Sequence, residues 1–140
     1  MPEKLFEPMV FVDLETTGAT GTVDRITEIG IVEVNEEGEV REWSSLVNPQ
    51  TSIPPFIQNL TGISDAMVAE APTFEELAEE VLMRLHGRLF VAHNARFDYG
   101  FLKNEFKRVG VDFKATVLCT VKLSRKLFPQ FSKHSLDALI

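Results

Sequence analysis

The chain has 140 residues, 44% of them hydrophobic and 25% charged, with a formal net charge of -7. That is a single-domain length with enough apolar residues for one core, and it excludes a disordered or fibrous chain. No apolar run reaches the roughly 18 residues of a membrane span, the N-terminus lacks the basic-then-apolar pattern of a secretory leader, and Cys119 is the only cysteine, so a cytoplasmic protein without an internal disulfide is expected.

Residues 9–14 form a short apolar run that predicts a buried strand. Residues 26–34 are rich in β-branched side chains on both faces apart from Glu28 and Glu33, which predicts a central strand. Residues 40–47 predict a third strand, reached through the turn Asn35-Glu-Glu-Gly38, and the three together predict an antiparallel meander. Residues 49–62 read as a loop with a short helix, marked by Pro54-Pro55. Thr73-Phe-Glu-Glu76 matches a capping box, and Leu77, Val81 and Leu85 follow at helical spacing until Gly87. Residues 88–93 predict a fourth strand. Residues 95–109 predict a helix with Asn94 as N-cap and Gly110 as its stop. Residues 115–120 predict a fifth strand, followed by a helix to Leu127 that Phe128-Pro129 ends. Residues 135–140 read as a helix just beginning. The order predicts an α/β fold with a mixed five-stranded sheet flanked by helices. No C-cap follows that last apolar pattern, so the expectation is a single domain over 1–140 whose C-terminal part is missing.

Asp13 and Glu15 sit two apart at the end of an apolar strand, so their side chains project to one face. Neighbouring carboxylates repel and lose hydration, and a divalent ion offsets both costs. Hard oxygen donors favour Mg²⁺ or Mn²⁺. Taken alone, Asp-x-Glu is too short to separate a metal site from a solvated strand end. Asp98 adds to the pattern, because Leu102 and Phe106 lie four and eight residues on and place it on an apolar stripe. A carboxylate there needs a partner if it is buried, although the first turns of a helix favour acids in any case. Glu28, His86 and Cys119 read as structural: an ion pair or hydrogen bond for the first, a helix-end cation for the second, a packed thiol for the third.

Phe11-Val-Asp-Leu-Glu-Thr-Thr-Gly18 resembles the first motif of the DEDD exonuclease superfamily. Ile26-Thr-Glu-Ile-Gly30 resembles its second strand, Val47-Asn-Pro49, Ile53-Pro54 and Leu60-Thr-Gly-Ile63 its connecting loop, and Ala92-His-Asn-Ala-Arg-Phe-Asp98 its second motif. The likeness runs through essentially the whole chain and is greatest to the type of the proofreading epsilon subunit of bacterial DNA polymerase III. The resemblance implies an RNase H-like fold and two metal ions, with Asp13, Glu15 and Asp98 as catalytic ligands. It also implies that Leu14, Thr16, Thr17 and Phe97 lie against the terminal nucleotide, with His93 and Asn94 in supporting roles. The implied activity is 3′→5′ hydrolysis of single-stranded DNA to nucleoside 5′-monophosphates, in proofreading or repair, beside a DNA polymerase or within a larger replication or repair protein.

The family's third motif, a general-base His with a fourth acidic ligand, is not among the 140 residues. His134 and Asp137 in Lys133-His-Ser-Leu-Asp-Ala-Leu139 are spaced one residue too closely to replace it, and their structural reading is preferred. The chain by itself is therefore expected to be weakly active or inactive. Two rivals are an RNA-directed exonuclease of the same superfamily and a non-catalytic binding or scaffolding module. The net charge does not exclude a nucleic-acid substrate, since two divalent ions would bring it from -7 to about -3.

Overall fold

The computed structural model describes residues 7–130 and 132–134. Its elements follow in the order β1 (Met9–Thr16), β2 (Ile26–Val34), β3 (Val40–Leu46), α1 (Pro55–Thr61), α2 (Asp65–Val68), α3 (Phe74–Leu85), β4 (Leu89–Ala92), α4 (Ala95–Arg108), β5 (Val117–Cys119) and α5 (Thr120–Leu127). The strands form one sheet in the order β3-β2-β1-β4-β5. The first three pair antiparallel as a meander, whereas β4 joins β1 and β5 joins β4 in parallel. This is the mixed sheet expected from the element order.

One face of β1 carries Val10, Val12 and Leu14, all buried. They meet Ile29 and Ile31 of β2, Phe90 of β4, and the inner faces of α3 and α4. The core is strongly aromatic: Phe74 meets Phe106 edge-on at 5.0 Å, and Phe106 meets Phe113 at 5.0 Å. Burying each such ring contributes about 2–3 kcal/mol. A smaller cluster of Ile53, Ile63 and Val68 lies under the segment between β3 and α3.

The α3 start follows from its sequence. Thr73 Oγ1 accepts from the Glu76 N–H at 3.3 Å, and the Glu76 carboxylate reaches back to the Thr73 N–H, satisfying donors that helix geometry leaves free. At the other end His86 caps the helix and Gly87 takes φ 74°.

Several expectations need correction. Asn94 does not cap α4 with its side chain; it sits at φ 120°, ψ 59°, while the Ala95 N–H meets Cys119 Sγ at 3.4 Å. The fifth strand has three residues, because its parallel register matches only Val117, Leu118 and Cys119 to β4. The connecting segment contains α2 as well as α1, its start capped by Ser64. Asp137 and the helix expected over 135–140 lie outside the described residues.

Candidate functional site

The site begins at the end of β1. Strand alternation turns Phe11, Asp13 and Glu15 away from the helices, onto the face opposite Val12 and Leu14. Asp13 is exposed and Glu15 half-buried. Gly30 stands opposite Asp13, so no side chain crowds that carboxylate from β2. Glu28 stands directly opposite Glu15. The ion pair or hydrogen bond expected for Glu28 is absent among the described residues; instead Glu28 adds a third carboxylate to this face. Sequence periodicity could not find this, since it depends on the β1–β2 register.

Asp98 reaches the same place from the other side. β4 pairs with β1 only at Met9, Val10 and Phe11, so the edge of β1 is open beyond that point. The first turn of α4 crosses there. Asp98 is buried, on the stripe shared with Phe101, Leu102, Glu105 and Phe106, and its carboxylate accepts from the Leu14 backbone N–H. Burial, and then the charges of Asp13 and Glu15, push its pKa from 3.8 up to about 7, against the opposing pull of that hydrogen bond. Burial likewise raises Glu15, followed by the charges of Asp13 and Glu28. The three predicted ligands are thus close enough to repel one another, though Asp98 lies 83 positions beyond Glu15 in the chain, with no local sequence link between them.

The fit of these residues to a metal follows from that repulsion. All the donors are hard oxygens, their charge is unneutralised, and Asp13 is open to solvent. Among the described residues no three His, Cys, Asp or Glu side chains are gathered closely enough to hold an ion by themselves, so water and substrate oxygens would complete the coordination. An open set of this kind suits Mg²⁺ or Mn²⁺, which keep water ligands and share coordination with substrate phosphates.

The turn after β1 is built rigidly. Thr17 Oγ1 donates to Asp24 Oδ1 at 3.0 Å and accepts from the Arg25 N–H at 3.0 Å. Asp24 Oδ2 accepts from the Thr20 N–H at 3.0 Å. A Cβ on Gly18 would lie 2.5 Å from Asp24 Oδ2, so the carboxylate occupies room that only glycine leaves. Thr16 Oγ1 donates to the Gly18 carbonyl at 2.6 Å. Glu105, 1% exposed, ties this segment to α4 by accepting from Arg25 Nε at 2.9 Å, the Ile26 N–H at 3.1 Å and Arg108 Nη1 at 3.0 Å.

Of the four residues expected against the terminal nucleotide, three are turned inward. Leu14 belongs to the core, and the hydroxyls of the buried Thr16 and Thr17 serve the turn. Phe97 is half-buried, its ring 4.7 Å from Phe101, beside the turn 19–22. His93 supports the frame: Nδ1 meets Thr120 Oγ1 at 2.8 Å and Nε2 meets the His134 carbonyl. A carbonyl only accepts, so Nε2 carries the proton. His134 is held by Ser124 Oγ at 2.7 Å, in keeping with a structural role.

With this geometry in view, the exonuclease family model matches residues 10–140. The chain is 42% identical over 130 residues to a PolC-type DNA polymerase III from Caldanaerobacter subterraneus subsp. tengcongensis, covering 93% of this chain and 9% of that protein. It is 46% identical over 133 residues to the 3′-5′ exonuclease DinG of Bacillus subtilis, covering 93% of this chain and 14% of the relative. The chain therefore spans only a small part of these longer proteins. Among solved structures, exonuclease X in complex with 5′ overhanging duplex DNA matches with a TM-score of 0.72 at 33% identity, over 94% of this chain and 70% of that one. An exonuclease I structure matches with a TM-score of 0.77 at 18% identity, a likeness of fold.

Proposed function

Because the chain belongs to the exonuclease family, we propose that it hydrolyses phosphodiester bonds at the 3′ end of single-stranded DNA, with Asp13, Glu15 and Asp98 holding Mg²⁺ or Mn²⁺. The observation that carries this reading is the convergence of the three carboxylates at the open end of β1, with Asp98 pushed up to about 7 by burial and by its two acidic neighbours. Divalent ions bound there would neutralise the scissile phosphate and make an attacking water more acidic. The protein's own part is to fix the carboxylates. β1 alternation sets Asp13 and Glu15 on one face, the Leu14 N–H orients Asp98, and the Thr17–Asp24–Arg25 hydrogen bonds hold the rim. Phe97 offers a ring edge to a terminal base, and the Thr16-Thr17-Gly18 turn contributes shape rather than free hydroxyls. Phosphate and stacking contacts carry little base identity, so cleavage is sequence-tolerant.

No helix among the described residues is long and apolar enough to cross a membrane. The names of the relatives support a place within a polymerase or a larger DNA-processing protein. The test is Mn²⁺ binding by electron paramagnetic resonance, together with digestion of 5′-labelled single-stranded DNA by a polypeptide carrying this domain and a third motif. Asp13→Ala is expected to abolish both. A 3′-phosphate or closed circle is expected to resist. Unchanged Mn²⁺ binding in the Asp13 variant, or rapid cutting of circles, would refute the assignment, and preferential digestion of RNA of equal length would redirect the substrate.

A further inference from the structure

A groove of about 550 Å³ lies between α4, β5 and α5. Arg96, Lys122 and Lys126 line it, and among the described residues no Asp or Glu does. The ion pairs among the described residues use other side chains: Arg25 and Arg108 on Glu105, Arg84 on Glu33 and Glu80, Arg88 on Glu33, and Lys114 on Asp112. In a protein with a net charge of -7, an acid-free groove with three exposed cations is a local reversal of sign. Lys103 adds a fourth cation at its border, with Nζ 5.8 Å from the centre of the Tyr99 ring.

The groove floor is apolar. Leu118 and Leu123 are about two-fifths exposed, and β5 is the edge of the sheet. A second groove, of about 460 Å³, lies between the turn 19–22 and α4, and among the described residues no carboxylate lines it either. The two grooves share Arg96, and the second is lined by Phe97, the residue before Asp98. The two grooves together therefore form a path from Phe97, next in the chain to Asp98, over Arg96 to Lys122 and Lys126.

We propose that this path carries the phosphate backbone of the single strand whose 3′ end lies at the carboxylates, with Arg96, Lys122 and Lys126 as its phosphate contacts. The inference rests on the nuclease reading and adds where the rest of the strand runs. Flexible cations above an aliphatic and aromatic floor suit a polyanion whose sugars and bases need apolar cover, and they read no sequence. The position of Phe97 next to Asp98 at one end of this path favours a nucleic acid over an acidic protein.

The test is fluorescence anisotropy of a 5′-labelled oligo-dT of about twelve nucleotides with Ca²⁺. It compares the unaltered chain, the double variant Lys122→Gln/Lys126→Gln, and the charge-matched double variant Lys107→Gln/Lys114→Gln, which lies outside the groove. Each lost phosphate contact lowers the log–log salt slope by about 0.7, so the groove variant should lose about 1.4. Between about 50 and about 200 mM salt the unaltered chain should then lose about sevenfold more affinity than the groove variant. The loss should shrink for a dT dinucleotide, which has a single internucleotide phosphate and cannot engage both lysines. Equal losses in both double variants, or a full slope in the groove variant, would overturn the path while leaving the nuclease reading intact. No binding of any oligo-dT by the unaltered chain would overturn both. Polyglutamate binding tighter than oligo-dT, and lost in the groove variant, would overturn it in favour of an acidic protein.

Discussion

Replacing Asp98 by Asn removes one carboxylate while keeping its volume and its capacity to accept the Leu14 N–H. In the metal-free protein Asp98 is moved from 3.8 to about 7 by burial and by the charges of Asp13 and Glu15. At about 1.4 kcal/mol per tenfold change in proton affinity, the upper bound is on the order of 4 kcal/mol. Water reaches the exposed Asp13 and half-buried Glu15 and screens part of this, leaving about 2 kcal/mol. An acid whose pKa is higher in the folded state takes up a proton on folding, so its contribution is fully present below the unfolded value of 3.8. That contribution is lost as pH rises towards about 7. Asn does not titrate. In EDTA at pH 8, Asp98→Asn should therefore be about 2 kcal/mol more stable than the unaltered chain, roughly 6 °C in Tm, with the gap closing near pH 4. Urea unfolding followed by circular dichroism at the two pH values measures this. Mn²⁺ should stabilise the unaltered chain at pH 8 and do much less for the variant. A variant less stable at pH 8 in EDTA, or a gap independent of pH, would show that Asp98 is a satisfied structural partner and refute the repulsion argument.

Glu105→Ala leaves the buried Ile26 N–H and the partly exposed Arg25 and Arg108 without their shared acceptor, and should cost about 2–3 kcal/mol in urea unfolding. Glu28→Gln removes the carboxylate opposite Glu15 and should raise metal-free stability at pH 8 by about 0.5 kcal/mol; a loss of stability would reveal a partner for Glu28. Thr73→Ala removes the α3 cap and should lower stability by about 1 kcal/mol, read as a lower Tm in differential scanning calorimetry.

The residues of the sheet and of α3 and α4 were legible in the sequence because their signals are local. Alternation over 9–14 set Val10, Val12 and Leu14 on one face and Asp13 on the other, and 3.6-residue spacing put Asp98 in line with Leu102 and Phe106. The Thr73–Glu76 capping box is likewise a contact within one turn. What the tertiary structure decided is non-local. Glu28 faces Glu15 only through the register of β1 on β2, which shifts after Glu15. Thr16 and Thr17 are expected against the terminal nucleotide, but in the folded turn the Thr16 hydroxyl bonds the Gly18 carbonyl and the Thr17 hydroxyl bonds Asp24 and the Arg25 N–H. Asn94 has the residue type of a cap, but at the crossing from β4 into α4 its backbone stands at φ 120°, ψ 59° and its side chain makes no cap hydrogen bond. Asp98 meets Asp13 because β4 stops pairing three residues into β1 and α4 fills the vacant edge. Periodicity records which side of its own element a residue occupies. Which residues of other elements wait on that side is fixed by burial of the shared core, and only the assembled sheet and helices determine it.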